Sequence, residues 1–366
     1  MKGGAVALAL AWSTALAAGE GAPALPSAGP RESITFILGQ DEEASRPLYA
    51  MADRYYRLDP GERTDHVQAG LRSLAEVRDF LAAHPPLDGR PWGVVNLVVH
   101  GNASGLLESP VWPGGGPATP ELLSKVLAAK ALAPVPDTVL DAKSELRVLG
   151  CSLGQRPRML TLLSRAFGGE DSERPLVRSS LLFMGFTSDE RLPAGCGRCL
   201  WEAWTLPFRP GARPSATEAA ARLQALDPRA GMDWRTAITR DHPLRATDCY
   251  AYEQRAEFHY TMVYPGEAEA PGLQNPGGSL RRLMENQGFQ EALGRAGTPW
   301  NLYRWRVERT RYRTPEGASL PALVATGTAA CLIVLRPQAD ADPADPALRR
   351  LLRPSWEDPR FFASSR

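Results

Sequence analysis

Residues 94–105 read VVNLVVHGNASG, and residues 145–155 read ELRVLGCSLGQ. The first opens on a continuous aliphatic run, the pattern of a strand covered on both faces inside a parallel sheet, and LRVLGC in the second reads as another buried strand. Each run stops in a turn of small residues, and each turn carries one side chain with chemistry to offer: His100 in the first, Cys151 in the second. In an open parallel sheet, the loops leaving the carboxyl ends of adjacent strands face one crevice, where ligands bind. As neighbouring strands, these two would bring imidazole and thiol to the same rim.

The surrounding sequence supplies the rest of such a sheet. SITFILGQD (33–41) reads as a buried strand ending at Gly39 and Asp41, and RPLYAMADRYYRL has apolar residues at helical spacing. DHVQAGL reads as a short strand, and SLAEVRDFLAAH as a helix with Ser73 as its cap and Glu76 three residues on. After a long Pro/Gly-rich loop, ESPVWPGGGPATP, come a helix beginning at Pro120, the Cys151 strand, a helix in PRMLTLLSRAFGG and one strand in PLVRSSLLFMGF. Strands alternating with helices predict an α/β domain with a mostly parallel sheet over residues 31–212. Residues 213–366 predict an α+β region that either completes the same sheet or forms a separate lobe. Its expected helices are SATEAAARLQAL and GSLRRLMENQGFQEAL, and its expected strands AEFHYTMVYP, WNLYRWRVERTRYR and GTAACLIVLRP. From QADADPADPALRR onward the chain reads as a mobile or loosely docked tail.

Bulk composition narrows the partners. The chain has 366 residues, 43% of them hydrophobic, enough for one large domain or two medium ones. Its 42 basic residues offset 41 acidic ones, so no whole-molecule field draws it to nucleic acid or anionic membrane. Residues 1–18, with Lys2, the apolar AVALALAWSTALAA and small residues after it, read as a signal peptide. The mature chain is therefore expected to be secreted or periplasmic. No later segment reaches the roughly 18 apolar residues of a spanning helix, so no transmembrane segment is expected.

Export bears on the five cysteines. In an oxidising compartment Cys196, Cys199, Cys249 and Cys331 can form two disulfides, which leaves Cys151 as the odd thiol. A rival reading makes Cys196, Cys199, Cys249 and either His242 or His259 a zinc site. Alternation in YRWRVERTRYR brings Arg304, Arg306, Arg309, Arg311 and Arg313 together, as an anion site or as a solvated strand face paired with acids.

A thiol and an imidazole suffice for acyl transfer. Sulfur attacks a carbonyl, while the imidazole activates the thiol or protonates the leaving amine. Gly101, without a Cβ, lets its backbone N–H approach a developing oxyanion, and the Cys151 N–H offers a second donor. An apolar block ending in His-Gly, followed by one ending in Gly-Cys, resembles the signature of the caspase-like cysteine peptidases. These include caspases, legumain, gingipains and the autoprocessing protease domains of large bacterial toxins. LRVLGCSL (146–153) is most similar to the toxin domains' strand into the nucleophile, and LVRSSLLF (176–183) to their next strand beside the substrate cleft. The likeness covers roughly residues 33–190 and is specific at three short segments.

That resemblance implies a caspase-like three-layer sandwich and a cysteine endopeptidase. Cys151 is then the nucleophile, His100 the acid–base partner and Gly101 an oxyanion donor, with Arg178, Ser179 and Ser180 near the substrate. The substrate is a peptide or protein, the chain itself among the candidates, and no metal or organic cofactor is required. The toxin domains are switched on by an inositol polyphosphate held by many lysines. This chain has four lysines, so the activator is not carried over. The QACRG context of caspases is absent too, so specificity for cleavage after Asp is not carried over.

Two other readings use the same letters. Gly150-Cys151-Ser152-Leu153-Gly154 fits the G-x-S-x-G elbow of α/β-hydrolases, with Ser152 as nucleophile. Asp227 or Asp241 and His242 or His259 would complete that triad. The other is a caspase-like shell that binds without chemistry. Around the cleft, Glu108 and Trp112 either border it or pack their loop. Asp41 either lines a pocket or pairs with an arginine.

Overall fold

Aliphatic runs too short for helices and too apolar for a solvated face condense into a sheet covered on both sides. A computed structural model describes residues 29–41, 48–59, 64–168, 174–192, 194–270, 276–313, 319–344 and 349–366. The chain divides into Met1–Pro30 and Arg31–Arg366, and the second unit carries every element named here. The expected signal peptide, residues 1–18, lies outside the described residues.

In chain order the first half gives β1 (Ser33–Ile37), α1 (Leu48–Leu58), β2 (His66–Ala69), α2 (Leu74–Ala83), β3 (Val94–Val98), β4 (Leu107–Pro110), β5 (Pro117–Ala118), α3 (Pro120–Ala128), β6 (Glu145–Leu149), α4 (Pro157–Gly168) and β7 (Leu176–Ser180). Then follow β8 (Phe183–Ser188), β9 (Cys196–Phe208), α5 (Ala216–Leu226), α6 (Trp234–Thr239), β10 (Tyr250–Val263), α7 (Pro276–Met284), α8 (Gln287–Ala296), β11 (Arg304–Arg313) and β12 (Ser319–Pro337). Three short strands end the chain: β13 (Ala339–Ala341), β14 (Arg349–Leu351) and β15 (Phe362–Ser365).

The central sheet runs β15-β7-β6-β3-β1-β2, parallel throughout except for the antiparallel edge strand β15. The His100 and Cys151 strands are direct neighbours, with Val94 opposite Glu145 and Val98 opposite Leu149. Successive side chains alternate between the faces. Ile34, Phe36, Val95, Leu97, Leu146 and Val148 point to one side, into a core shared with residues of α2, α3 and α4. Ile37, Val98 and Leu149 point to the other, against Tyr49, Ala52, Tyr55 and Tyr56 of α1 and Met184, Phe186 and Leu200 of β8 and β9. Each fully buried Phe, Leu or Val here contributes about 1.5–3 kcal/mol relative to exposure.

The helices begin where their caps allow. The Ser73 hydroxyl accepts the Glu76 N–H while the Glu76 carboxylate accepts the Ser73 hydroxyl and the Arg72 N–H. Thr119 caps α3, and Pro120 stands in its first turn, where a missing N–H costs nothing.

The second sheet is antiparallel, β8-β9-β12-β10, with β11 pairing with β12. It joins β8 and β9, from before residue 213, to β10, β11 and β12, from after it. The expected division at 212/213 thus falls inside one unit, and the C-terminal residues complete the edge of the central sheet through β15.

Several local expectations need correction. PLVRSSLLFMGF is two strands in two sheets: the Ser180 hydroxyl accepts the Leu182 N–H at 3.0 Å, and the chain turns between β7 and β8. GSLRRLMENQGFQEAL is two helices, because the Asn286 side chain accepts the Phe289 N–H and starts α8 afresh. The loop after His100 contains the β4–β5 hairpin. The tail is docked: β15 lies on β7, and Trp356 stacks on Phe362 with ring centroids 4.4 Å apart.

All five cysteines are free thiols, so neither expected disulfide is present. Cys196 and Cys199 are three residues apart on β9 and face opposite sides, one in the α1-side core and the other beside Trp201 and Cys331. That geometry excludes the zinc reading, and no group of three His, Cys, Asp or Glu among the described residues is placed to hold a metal ion. Nor is any described helix long and apolar enough to cross a membrane.

Candidate functional site

Val98 and Leu149 are register partners pointing to the α1 side, and His100 and Cys151 each lie two residues further on. A period of two sends both to that same side, at the carboxyl ends of strands that run about 4.8 Å apart. The contacts agree. The His100 ring meets Tyr49 of α1 edge-on, centroids 5.2 Å apart and planes at 76°. The Cys151 thiol donates to the carbonyl of Met184 on β8 at 3.3 Å. His100 is exposed and Cys151 half-buried.

The two turns touch through their glycines. A Cβ on Gly150 would stand 3.3 Å from the Val99 oxygen and 3.6 Å from the Gly101 Cα, and one on Gly101 would stand 3.2 Å from the Leu106 oxygen. Only backbone fits there. The side chain of Arg156 adds a tie from the far side of the Cys151 turn, donating through Nε to the Ala103 carbonyl at 2.8 Å.

The hairpin after His100 decides where its amides point. Glu108 N–H donates to the His100 carbonyl at 2.9 Å and Asn102 N–H to the Leu106 carbonyl at 3.1 Å, while Gly101 opposes Leu107. In that antiparallel pattern the bonded groups belong to residues 100 and 102, and those of Gly101 turn outward. Among the described residues, neither the Gly101 N–H nor the Cys151 N–H has a hydrogen-bond partner, while Ser152 N–H is taken by the Leu182 carbonyl at 2.9 Å. Among the described residues, the two turns thus each carry one unpaired backbone donor.

Burial pushes the Cys151 thiol above its usual pKa. The thiol proton is the one donated to the Met184 carbonyl. Burial likewise pushes the Tyr49 phenol well up, which keeps it neutral through the working range.

Ser179 and Ser180 are fully buried; the Ser179 hydroxyl donates to the Val148 carbonyl at 2.7 Å, and the Ser180 hydroxyl holds Leu182. Arg178 is level with Arg147, four residues or about 13 Å below Cys151 along the sheet. There it pairs with Glu145 at 3.1 Å and donates to the Trp356 carbonyl. None of the three side chains belongs to the rim that carries Cys151. Glu108 and Trp112 are exposed, Glu108 joined to His100 through its backbone. Asp41 caps α1, accepting the N–H groups of Tyr49 at 3.0 Å and Ala50 at 2.9 Å.

The arginines of β11 are divided. Arg306 pairs with Glu308, whereas Arg309 and Arg311 both reach Glu267, as a solvated and paired face would have it. Ser152 has φ +54°, the left-handed region, and its side chain is buried. It lines a cleft of about 500 Å³ with Ala103, Phe183, Trp201, Glu202 and Asp227. Of the hydrolase partners, Asp227 borders this cleft while His242 and His259 do not, and His259 bonds Glu257 on an exposed strand.

Sequence reasoning missed Tyr49, the Met184 carbonyl and the Gly150–Gly101 contact. Tyr49 left one trace: Gly39, two residues past β1, stands where any Cβ would lie 2.1 Å from the Tyr49 Cζ. No protein-family model, curated protein or solved structure matches the chain.

Proposed function

We propose that the chain is an exported, caspase-like cysteine endopeptidase working through Cys151 and His100. The observation that carries this reading is the pairing of β3 with β6 in parallel register, which brings an imidazole, a thiol and two unpartnered N–H groups to one rim. On substrate binding the thiol leaves Met184, and His100 takes its proton. Sulfur attacks the scissile carbonyl, and the Gly101 and Cys151 N–H groups hold the oxyanion. The C–N bond breaks, the imidazolium returns its proton to the departing amine, and an acyl-thioester remains. Water, deprotonated by His100, then attacks the thioester; the acid leaves, and the thiol recovers its proton. The cleft between the Ser152 turn and Trp201–Trp204 of β9 opens next to the residue that follows Cys151, and neither His100 nor Cys151 lines it. Substrate contacts assigned to Arg178, Ser179 and Ser180 draw no support from their positions.

The left-handed backbone at Ser152 and the Asp227 carboxylate in the same cleft favour the hydrolase reading. A covered hydroxyl without a histidine in that cleft disfavours it. Cys151→Ala and Ser152→Ala, assayed on peptide and ester substrates, separate the two. The peptidase loses activity only in the first; ester cleavage lost only in the second would move the nucleophile to Ser152.

A further inference from the structure

We infer that Tyr49 is a positioning residue for His100, an assignment that rests on the Cys151–His100 reading. His100 is exposed, and an exposed imidazole at a strand end is free to turn about both side-chain torsions. Here it is not free. The backbone N–H of His100 donates to the Tyr49 hydroxyl at 3.3 Å, its backbone carbonyl accepts from the Glu108 N–H at 2.9 Å, and its ring is backed by the edge-on Tyr49 ring. Backbone and ring are held by one side chain from another element.

Tyr49 is itself held. It is 5% exposed, its N–H is anchored on Asp41 in the segment that follows β1, and its ring crosses the bare backbone of Gly39. The support runs from β1 through the start of α1 to the imidazole, and β1 is the strand beside β3. The ionisable groups around this contact are Tyr49, Cys151, Glu108 and Asp41. Since the phenol stays neutral, the contribution is geometric: it holds the imidazole on the thiol's side of the sheet before substrate arrives, which saves ordering cost in the transition state.

The test uses the full chain with Tyr49→Phe, which keeps the ring and removes only the acceptor, and Tyr49→Leu, with His100→Ala as reference. The rate at which iodoacetamide alkylates Cys151, followed by peptide mapping, reports the dyad without requiring a substrate. Cys249, a half-buried free thiol away from the site, serves as the folding control. His100→Ala should slow labelling. Tyr49→Phe should slow it by about threefold to tenfold and Tyr49→Leu nearly as far as His100→Ala, with Cys249 labelling unchanged and kcat lowered at constant KM. Wild-type labelling in both Tyr49 variants, with slow labelling in His100→Ala, would overturn the positioning role and leave the dyad standing. Wild-type labelling in His100→Ala would remove the dyad, and the role with it. Faster Cys249 labelling in Tyr49→Phe would make Tyr49 a structural residue only.

Discussion

Gly101 and Gly150 meet backbone to backbone, and the proposed site needs that closeness. Gly150→Ala puts a Cβ 3.3 Å from the Val99 oxygen and 3.6 Å from the Gly101 Cα, so the His-Gly and Gly-Cys turns must part by a few tenths of an ångström. Such overpacking costs about 1–3 kcal/mol. A shift of this kind also moves the two N–H donors, so kcat/KM should fall by more than about tenfold in a variant that still unfolds cooperatively in urea. His100 and Cys151 were legible because each ends an aliphatic run, and two such runs in an α/β pattern are natural neighbours. Tyr49 was not, because a helical tyrosine reads as core until the register shows which strand end it covers.

Among the elements, the C-terminal segment departs most from its sequence pattern. Trp356 lies between the guanidinium groups of Arg147 and Arg198, 5.1 and 5.0 Å from its ring, and Arg178 donates to its carbonyl. The Arg353–Asp59 ion pair holds the chain just before it. A short segment after a run of Asp, Ala and Pro gives no periodicity to read; its docking is specified by partners more than 150 residues away. Trp356→Ala should cost about 3–5 kcal/mol in urea denaturation, by loss of buried ring and cavity formation, and should loosen β15 from β7. The exposed edge of β7 would then promote association, visible as light scattering.

The turn between β8 and β9 is held by charge. Arg191 donates to Asp189 at 2.5 Å and the Ala246 N–H adds 3.2 Å, and the Arg191 bond in particular holds the Asp189 carboxyl well below the usual range. The unfolded chain therefore binds this proton more readily than the folded one, so the stabilisation is complete above a pH of about 4 and is lost as pH falls further. Urea midpoints measured from pH 6 to pH 2.5 should decline less steeply in Asp189→Asn than in the wild type.

At the scale of the molecule, β12 ties the halves together. Its residues 330–337 pair with β9 and its residues 322–335 with β10, while β15 closes the central sheet from the far end of the chain. Local patterning showed the alternating helices and strands of the first half. It did not show that β9 takes its partner from over a hundred residues later, a pairing specified by burial in the finished fold. A fragment ending at residue 212 lacks both β12 and β15, and should show no cooperative thermal transition, whereas residues 31–366 should melt as one unit. A cooperative fragment would instead support a domain boundary at 212/213.

The central claim is that the Cys151 sulfur attacks with His100 as its base, and covalent labelling tests it most directly. A peptide bearing an electrophilic ketone, incubated with the full chain and mapped by mass spectrometry, should form one adduct, at Cys151. His100→Ala should slow its formation by about a hundredfold or more. An adduct on Ser152, or labelling of Cys151 at an undiminished rate without the imidazole, would contradict the account.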